Sequence, residues 1–593
     1  MGRNSATPLS LLVVGAGGSG FLCEWRPVSS LEKVFYSRRL EAPPIPHVTA
    51  ARGETSAFQI AFRVVPVKDA PQSVHARLEP MRPSFGHHVS VRAVAHVACT
   101  RPADESDTFI LADGPGIFPA PLLPKNEIWL RPGYWQSFWI DFRPDETASA
   151  GLLRIAFRLA IKCGDVCDEK EIAVNAIVRD FVLPRQRLKC AMWFHPDCLQ
   201  RRYGVEAWSE RHWEIIADYM RDRAAHGINV ILTPLWSVPL DTAVGHERPT
   251  CQLLKIRHLN GKYTFDFSRL DRWIELARSC GTDCFEMSHA YTQWGARHAP
   301  KIVVEDDNGE QHVHFGWHTD AHGHEYHDFL RQLMAELLPF LRSRNVTPAN
   351  CYFHVSDEPD ESNIDSYAKA SGFLRGLIED YPALDALSHI AFLRRGLTDH
   401  PVPKTNALAD FCGEKVSERW VYYCGNWADG VPNRLFGMPS WRNRALGVLL
   451  YWLGLDGFLH WGYNFWFSRE SLDLDLDPWH DPCAGGDFFG GDSFAVYPGR
   501  DGHPVSTIHY EVFAQALQDF RALDLLESLI GRNRTMDIVS ATLPPDFGEL
   551  TMTHYPRNRD WVPSVREAVD SAIVAASERD CAEHAIIGPV SAS

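Results

Sequence analysis

The feature that most constrains this chain is a change of pattern near residue 185. Before it, apolar residues recur in runs suited to strands; after it, short apolar runs alternate with helical ones. At 593 residues the chain is too long for one hydrophobic core, so two or more domains are expected, and this change marks a boundary.

Over residues 21–185 the strand signal is consistent. Phe58 to Val64 (FQIAFRV), Val89 to Val97 (VSVRAVAHV), Gln136 to Phe142 (QSFWIDF) and Leu152 to Ile161 (LLRIAFRLAI) are rich in β-branched and aromatic residues, with Pro, Gly and Asp turns between them. No long helical pattern interrupts them, which predicts an all-β sandwich. Leu183 to Arg187 (LPRQR) is a linker. Residues 1–20 read as a disordered or leader-like N-terminus, although the apolar run Leu11 to Val14 is short and no clean cleavage site follows. Gly15, Gly17 and Gly20 fit G-x-G-x-x-G, but Pro27 breaks the helix a dinucleotide site needs, so no nucleotide is read there.

From residue 189 to about 535 eight candidate strands alternate with helices. The strands are Lys189 to His195, Ile228 to Leu232, Cys284 to Met287, Cys351 to Ser356, Leu387 to Phe392, Leu408 to Phe411, Arg419 to Cys424 and Gly457 to Tyr463. Helices are expected from Ser209 to Gly227, from a Ser268–Asp271 capping box to Gly281, and over 325–344, 367–378, 441–453 and 510–529. The pattern predicts a multidomain β plus α/β protein: a β-sandwich, then a (β/α)₈ barrel, then a C-terminal extension over 536–593 with a helix near Ser564 to Ser577.

Composition narrows the partners. A formal charge of −16 argues against nucleic acid, which needs a basic footprint. No stretch reaches the ~18 apolar residues that span a bilayer, so no membrane partner is expected. The 14 cysteines are scattered, without CxxC or zinc-like Cys/His spacing; that suits free thiols in a reducing, cytoplasmic setting, with no metal or other cofactor. The 19 tryptophans suit either sugar-stacking clefts or large aromatic cores.

In a barrel the working residues sit at the C-terminal ends of strands. Those ends offer His195, Asp197, Asp241, His289, Gln293, Asp357, Glu358, Asp410, Tyr423, Trp461 and Tyr463. Cys351 to Pro359 (CYFHVSDEP) is the most informative, since an apolar strand runs straight into two carboxylates. Neighbouring carboxylates repel, which pushes their pKa values apart and lets one hold a proton while the other is an anion. Glycoside cleavage needs that division of labour. A solvated Asp-Glu pair in a loop is the plain alternative.

Three blocks in order strengthen the glycosidase reading. Phe285 to Ala296 (FEMSHAYTQWGA), His354 to Pro359 (HVSDEP) and Leu455 to Trp466 (LDGFLHWGYNFW) resemble the signature of the family 123 glycoside hydrolases and their DUF4091 relatives, and the similarity runs from Trp25 through the C-terminal helix. The resemblance implies a β-sandwich and a (β/α)₈ barrel, no cofactor, and exo-β-N-acetylgalactosaminidase activity on an oligosaccharide or glycoconjugate. It implies substrate-assisted catalysis, with the 2-acetamido oxygen as nucleophile, Glu358 as general acid then base, and Asp357 orienting the acetamido group. Tyr423 or Tyr463 is the candidate hydroxyl donor to the acetamido oxygen. Trp427, Trp461 and Trp466 are candidates for stacking on the sugar, and His289, Gln293, Trp294 and Asp241 for binding it. A carboxylate-nucleophile glycosidase using Asp241 or Glu286, and a non-catalytic glycan-binding protein, are the competing readings.

Overall fold

In the computed structural model residues 9–14, 20–66, 73–81, 86–164, 166–425 and 429–586 are described. Two sheets face each other in the N-terminal part. One runs in the spatial order Leu9–Val14, Gly20–Ser29, Ser56–Pro66, Trp135–Pro144, His87–Cys99 and Gly116–Leu123, antiparallel throughout. The other runs His47–Arg52, Val166–Val182, Gly151–Cys163, Val74–Pro80 and Glu127–Leu130. Side chains of a strand alternate between faces, so Ile155, Phe157, Leu159 and Ile161 are buried while Arg158 and Lys162 reach solvent. They meet Phe58, Ile60, Phe62 and Val64 of the facing sheet in one apolar core. The leader-like run lies within the edge strand Leu9–Val14. Gly15 and Gly17 of the glycine pattern fall outside the described residues.

Beyond the linker, six parallel strands pair in the order Cys351–Phe353, Cys284–Met287, Val230–Thr233, Lys189–Met192, Gly457–His460 and Trp420–Tyr422. Leu384–Ala386 and His400–Val402 make a parallel pair of their own. Single parallel bridges join that pair to the six at both ends, Phe353 to Ala383 and Lys404 to Tyr422. Val230–Thr233 and Gly457–His460 are buried on both faces, as parallel strands covered by helices must be. The covering helices include Glu210–Ala225, Ser268–Ser279, His324–Ser343, Ile364–Arg375, Ser440–Trp452 and Ile508–Ile530.

Two of the expected strands are misplaced. The fifth is Leu384–Ala386, whereas Leu387 to Phe392 runs into the short helix Ile390–Arg394. The sixth is His400–Val402, and Leu408–Phe411 is a helical turn. The apolar helical turns that follow these two short strands imitate a strand pattern and draw the reading past them. Ser268 does not cap its helix; it is the first helical residue, and its N–H donates to Asp266 Oδ1 at 2.8 Å.

Buried charge joins the parts. Arg566, on the terminal helix Trp561–Ile586, reaches Glu54 of the β part at 2.7 Å and Asp519 of Ile508–Ile530 at 3.2 Å. The segment after His87–Cys99 crosses to the parallel strands, where Asp107 Oδ2 lies 2.6 Å from Arg442 Nη2 with both side chains fully buried. Arg442 also donates to the carbonyls of Val431 and Phe109, both at 2.6 Å. Asp107→Ala should leave that guanidinium as an uncompensated buried charge, costing about 3–5 kcal/mol. The expected result is a clearly lower urea midpoint and melting temperature; an unchanged midpoint would contradict the pairing.

Candidate active site

A cavity of about 650 Å³ opens at the C-terminal ends of the parallel strands, within the size range of small-molecule sites. Of the residues singled out from sequence, Asp241, Gln293, Trp294, Asp357, Glu358 and Trp461 line it. Each lies just beyond a strand: Asp241 after Val230–Thr233, Gln293 and Trp294 after Cys284–Met287, the two acids after Cys351–Phe353, and Trp461 after Gly457–His460.

Gln293 ties two of the acids together. Its Oε1 accepts the backbone N–H of Asp241 at 2.5 Å, which leaves its Nε2 to donate to Asp357 Oδ2 at 2.9 Å. Glu358 meets different partners. Its Oε1 accepts from the Tyr422 hydroxyl at 2.6 Å and lies 3.4 Å from Lys404 Nζ and 3.7 Å from Cys424 Sγ. The backbone here is strained, with φ of +48° at Asp241, +57° at Trp294 and +44° at Glu358, values that cost a non-glycine residue roughly 1–2 kcal/mol each. Tertiary hydrogen bonds hold two of them: Glu358 N–H to Ala386 O at 3.0 Å, and Trp294 N–H to Asp357 O at 3.1 Å. Strain of this kind gathers where a fold positions reactive groups.

The electrostatics follow from crowding acids in a buried cavity. Burial, then the charges of Glu358 and Asp241, holds the Asp357 carboxyl well above the usual carboxylate range, although the Gln293 hydrogen bond and the His354 charge pull the other way. Burial and Glu358 push Asp241 up to about 7, against Arg469 and Arg248. Asp492, also in the wall, is pushed up to about 6 by burial, opposed by the Gly425 N–H that donates to its Oδ2 at 3.0 Å.

Below the cavity lies a fully buried polar layer. His354 Nε2 is 3.3 Å from Glu286 Oε1 and its Nδ1 is 3.5 Å from Asp385 Oδ1. Burial works to lower the His354 pKa, but these two acids outweigh it and raise it to about 9. His289 stacks on His354 at 4.3 Å, and burial with the His354 charge holds it well below the usual histidine range. His289, His354 and Asp385 bring ligand-type atoms close together. The two imidazoles are only 15° from parallel, so their in-plane lone pairs share no point within bonding reach, and the cluster does not fit a metal ion.

Several sequence candidates stand elsewhere. His289 belongs to the layer beneath the cavity. Tyr423 packs edge-on against Phe458 and His460, each 5.1 Å away, because strand neighbours face opposite sides and Tyr422 takes the cavity side. Tyr463 turns toward the helices, its hydroxyl 2.6 Å from Asp222 Oδ2. The chain passes Ser493 at Gly462 so closely that a Cβ there would lie 2.4 Å from the Ser493 carbonyl oxygen, and strand alternation ends at that point. Trp466 is buried, its indole N–H donating to Val496 O at 3.1 Å. Trp427 lies outside the described residues. Glu286 is fully buried against His354, and Asp197 is paired with Arg248 at 2.7 Å. The sequence reading missed Tyr422, Cys424, Arg469 and Asp492, all in the wall. Tyr422 and Cys424 are two apart at the end of an expected strand, a period-two signal that marks them as sharing a side.

A raised carboxyl pKa ties stability to pH. Asp241 keeps its proton in the folded chain up to about pH 7 but loses it near pH 4 when unfolded, so its contribution is full below about 3.9 and is lost as pH rises through about 7. Asp241→Asn should therefore melt above the wild type at pH 7.5, by roughly 2–4 °C for each kcal/mol recovered. The gap should close toward pH 4; a gap independent of pH would refute the assignment.

The sequence pattern described as the glycoside hydrolase 123 catalytic domain matches residues 193–526, more than half of the chain. A solved family 123 glycoside hydrolase from Clostridium perfringens, described for glycolipid glycan hydrolysis, is similar with a TM-score of 0.69 at 12% identity, covering 95% of this chain and 100% of that one. That likeness shows a shared fold. β-Glucuronidases of Parabacteroides merdae (TM-score 0.30, 12% identity, 80% of this chain and 51% of that one) and Ruminococcus gnavus (TM-score 0.31, 10% identity, 78% and 66%) are also similar, at a level that bears no argument. No curated protein matches. With the matched segment spanning all but the first of the parallel strands and every acid of the cavity floor, the chain belongs to glycoside hydrolase family 123 and is a glycosidase.

Proposed function

We propose that this glycosidase is exo-acting and retaining, and that it releases terminal β-linked N-acetylgalactosamine from an oligosaccharide or glycoconjugate by substrate-assisted catalysis. The observation that carries the reading is Asp357, buried at the cavity floor and fixed by Gln293, directly beside Glu358 with its tyrosine and lysine partners. The glycolipid glycans handled by the Clostridium enzyme are one source of such a substrate. We further read the eight parallel strands as a (β/α)₈ barrel, supported by the two bridges between the six-stranded and two-stranded sheets. Residues 21–185 then form a supporting β domain, 189–535 the catalytic barrel and 536–593 an extension.

In this mechanism the acetamido oxygen attacks the anomeric carbon while Glu358 gives a proton to the leaving oxygen. An acetamido N–H laid against Asp357 stabilises the anion there and leaves the proton to Glu358. Asp357 then faces the positive charge that develops on the oxazolinium nitrogen. Glu358, now an anion, takes a proton from the water that opens the ring, and the anomeric configuration is retained. Tyr422, rather than Tyr423 or Tyr463, is the tyrosine that meets the acids, and Trp461 is the aromatic wall for the sugar. The tethered nucleophile brings a high effective concentration, so no protein nucleophile is needed.

A carboxylate-nucleophile mechanism is the second reading, favoured by one observation: Asp241 places a third carboxyl group in the same cavity. Para-nitrophenyl substrates separate the two. The β-N-acetylgalactosaminide should be cleaved, the plain β-galactoside should not, and a thiazoline analogue should inhibit. Glu358→Gln should lose about 10²–10⁴-fold on poor leaving groups and far less on nitrophenol, while Asp357→Asn loses activity on both. Galactoside cleavage without thiazoline inhibition overturns substrate assistance in favour of Asp241.

A further inference from the structure

The mouth of the cavity differs in chemistry from its floor. The floor is acidic, whereas two arginines, Arg101 and Arg469, stand in the wall and are both solvent-exposed. The Arg469 guanidinium lies over two aromatic rings, 5.8 Å from Trp294 and 5.5 Å from Phe488. Arg101 lies 4.5 Å over Phe489 and donates one N–H to the Gly486 carbonyl. Neither guanidinium is in an ion pair among the described residues, in a chain where buried and surface arginines are widely paired. Carboxylates lie nearby as well: Asp487 Oδ2 accepts the Arg469 backbone N–H at 3.3 Å, Asp104 Oδ1 accepts the Ser106 N–H at 2.8 Å, and the Arg469 charge acts on Asp241.

A guanidinium that lies over aromatic rings keeps its edge donors free. Stacking fixes the plane while leaving the N–H fork pointed outward, so little freedom is lost when an acceptor arrives. The acceptor that matches such a fork is a planar or tetrahedral oxyanion, engaged through two parallel N–H···O bonds. In an exo-acting pocket the released sugar fills the floor and the next residue of the glycan lies at the mouth. An anion on that next residue meets Arg469 and is kept one sugar away from the floor carboxylates. An anion on the released sugar would lie against Asp357, whose ionised form the proposed mechanism requires, and would oppose that ionisation.

Resting on the hexosaminidase reading, we propose that the enzyme is selective for acidic glycans, with Arg469, assisted by Arg101, binding a carboxylate or sulfate ester on the sugar adjacent to the scissile bond. Three disaccharides with the same terminal β-N-acetylgalactosamine test it, linked to galactose, to 6-sulfogalactose and to glucuronic acid. For the wild-type enzyme kcat/KM should favour at least one acidic acceptor sugar by about ten-fold or more, the value of a charge-assisted hydrogen-bond pair. Which one is preferred identifies the anion. Arg469→Ala should bring that ratio close to one, and Arg469→Lys should keep only part of it, since an ammonium cannot make the bidentate contact. Calorimetric binding of the three disaccharides to Glu358→Gln repeats the comparison without turnover. Equal rates and affinities for neutral and acidic disaccharides, absent binding of all three, or a preference that survives Arg469→Ala would each overturn the proposal. Failure of the wild type to cleave any of them, with acidic binding intact, would instead overturn the hexosaminidase reading alone.

Discussion

A carboxyl group buried beside two others is tolerated only where the surrounding donors are fixed in advance, and at Asp357 that task falls to Gln293. An amide has one acceptor end and one donor end. Because the Asp241 N–H claims the acceptor, the donor must face Asp357. The orientation of that N–H depends on the left-handed backbone of Asp241. A local strain of roughly 1–2 kcal/mol therefore sets the polarity of the hydrogen bond to Asp357. Asp357 Oδ2 is held by this one donor, while the neighbouring Glu358 is met by a hydroxyl and an ammonium. Two adjacent acids thus receive unlike environments from unlike elements of the fold, which is the condition for dividing acid and anion between them.

The layer beneath extends the same logic. Four ionisable side chains, Glu286, His289, His354 and Asp385, are fully buried there, and a buried charge persists only when paired and hydrogen-bonded. His354 is placed between two acids, Asp385 Oδ1 also accepts the Val355 N–H at 2.9 Å, and its Oδ2 accepts the Tyr367 hydroxyl at 2.6 Å. The two histidines move to opposite sides of their ordinary pKa because Asp385 and Glu286 outweigh burial at His354, while burial, then the His354 charge, acts on His289. The positive charge so created lies three residues before Asp357 and opposes the repulsion from Glu358 and Asp241.

How much of this the sequence discloses depends on the range of the interaction. The change of periodicity at residue 185, the strand Cys351–Phe353 and the acids that follow it are local patterns, and each can be read from a window of ten residues. Leu384–Ala386 and His400–Val402 cannot, because the apolar helical turns Ile390–Arg394 and Leu408–Phe411 that follow them imitate strands more strongly than they do. The choice among Tyr422, Tyr423 and Tyr463 fails for a related reason. It turns on which face of a strand survives to the last residue, and at Gly462 that is decided by contact with Ser493, thirty-one positions away. Asp492 and Arg469 belong to the long irregular connection after Gly457–His460, where neither periodicity nor turn chemistry points to a cavity.

The remaining illegible part is the role of the N-terminal sheets. Their sequence does not disclose that Arg101 and Asp104, on the segment that leaves His87–Cys99, stand in the wall of the cavity. That segment is anchored by backbone hydrogen bonds at both sides of the crossing: the Gly437 N–H donates to Pro102 O at 2.7 Å and the Leu111 N–H to Gly437 O at 2.6 Å. Gly437 is required for the contact, since a Cβ there would lie 2.1 Å from the Ala112 carbonyl oxygen. The Asp107–Arg442 pair closes the same crossing from below. The floor of the cavity is thus set by the ends of parallel strands, while part of its mouth is set by another sheet through a rigid arm. A change in that arm can alter what reaches the acids without moving the acids themselves.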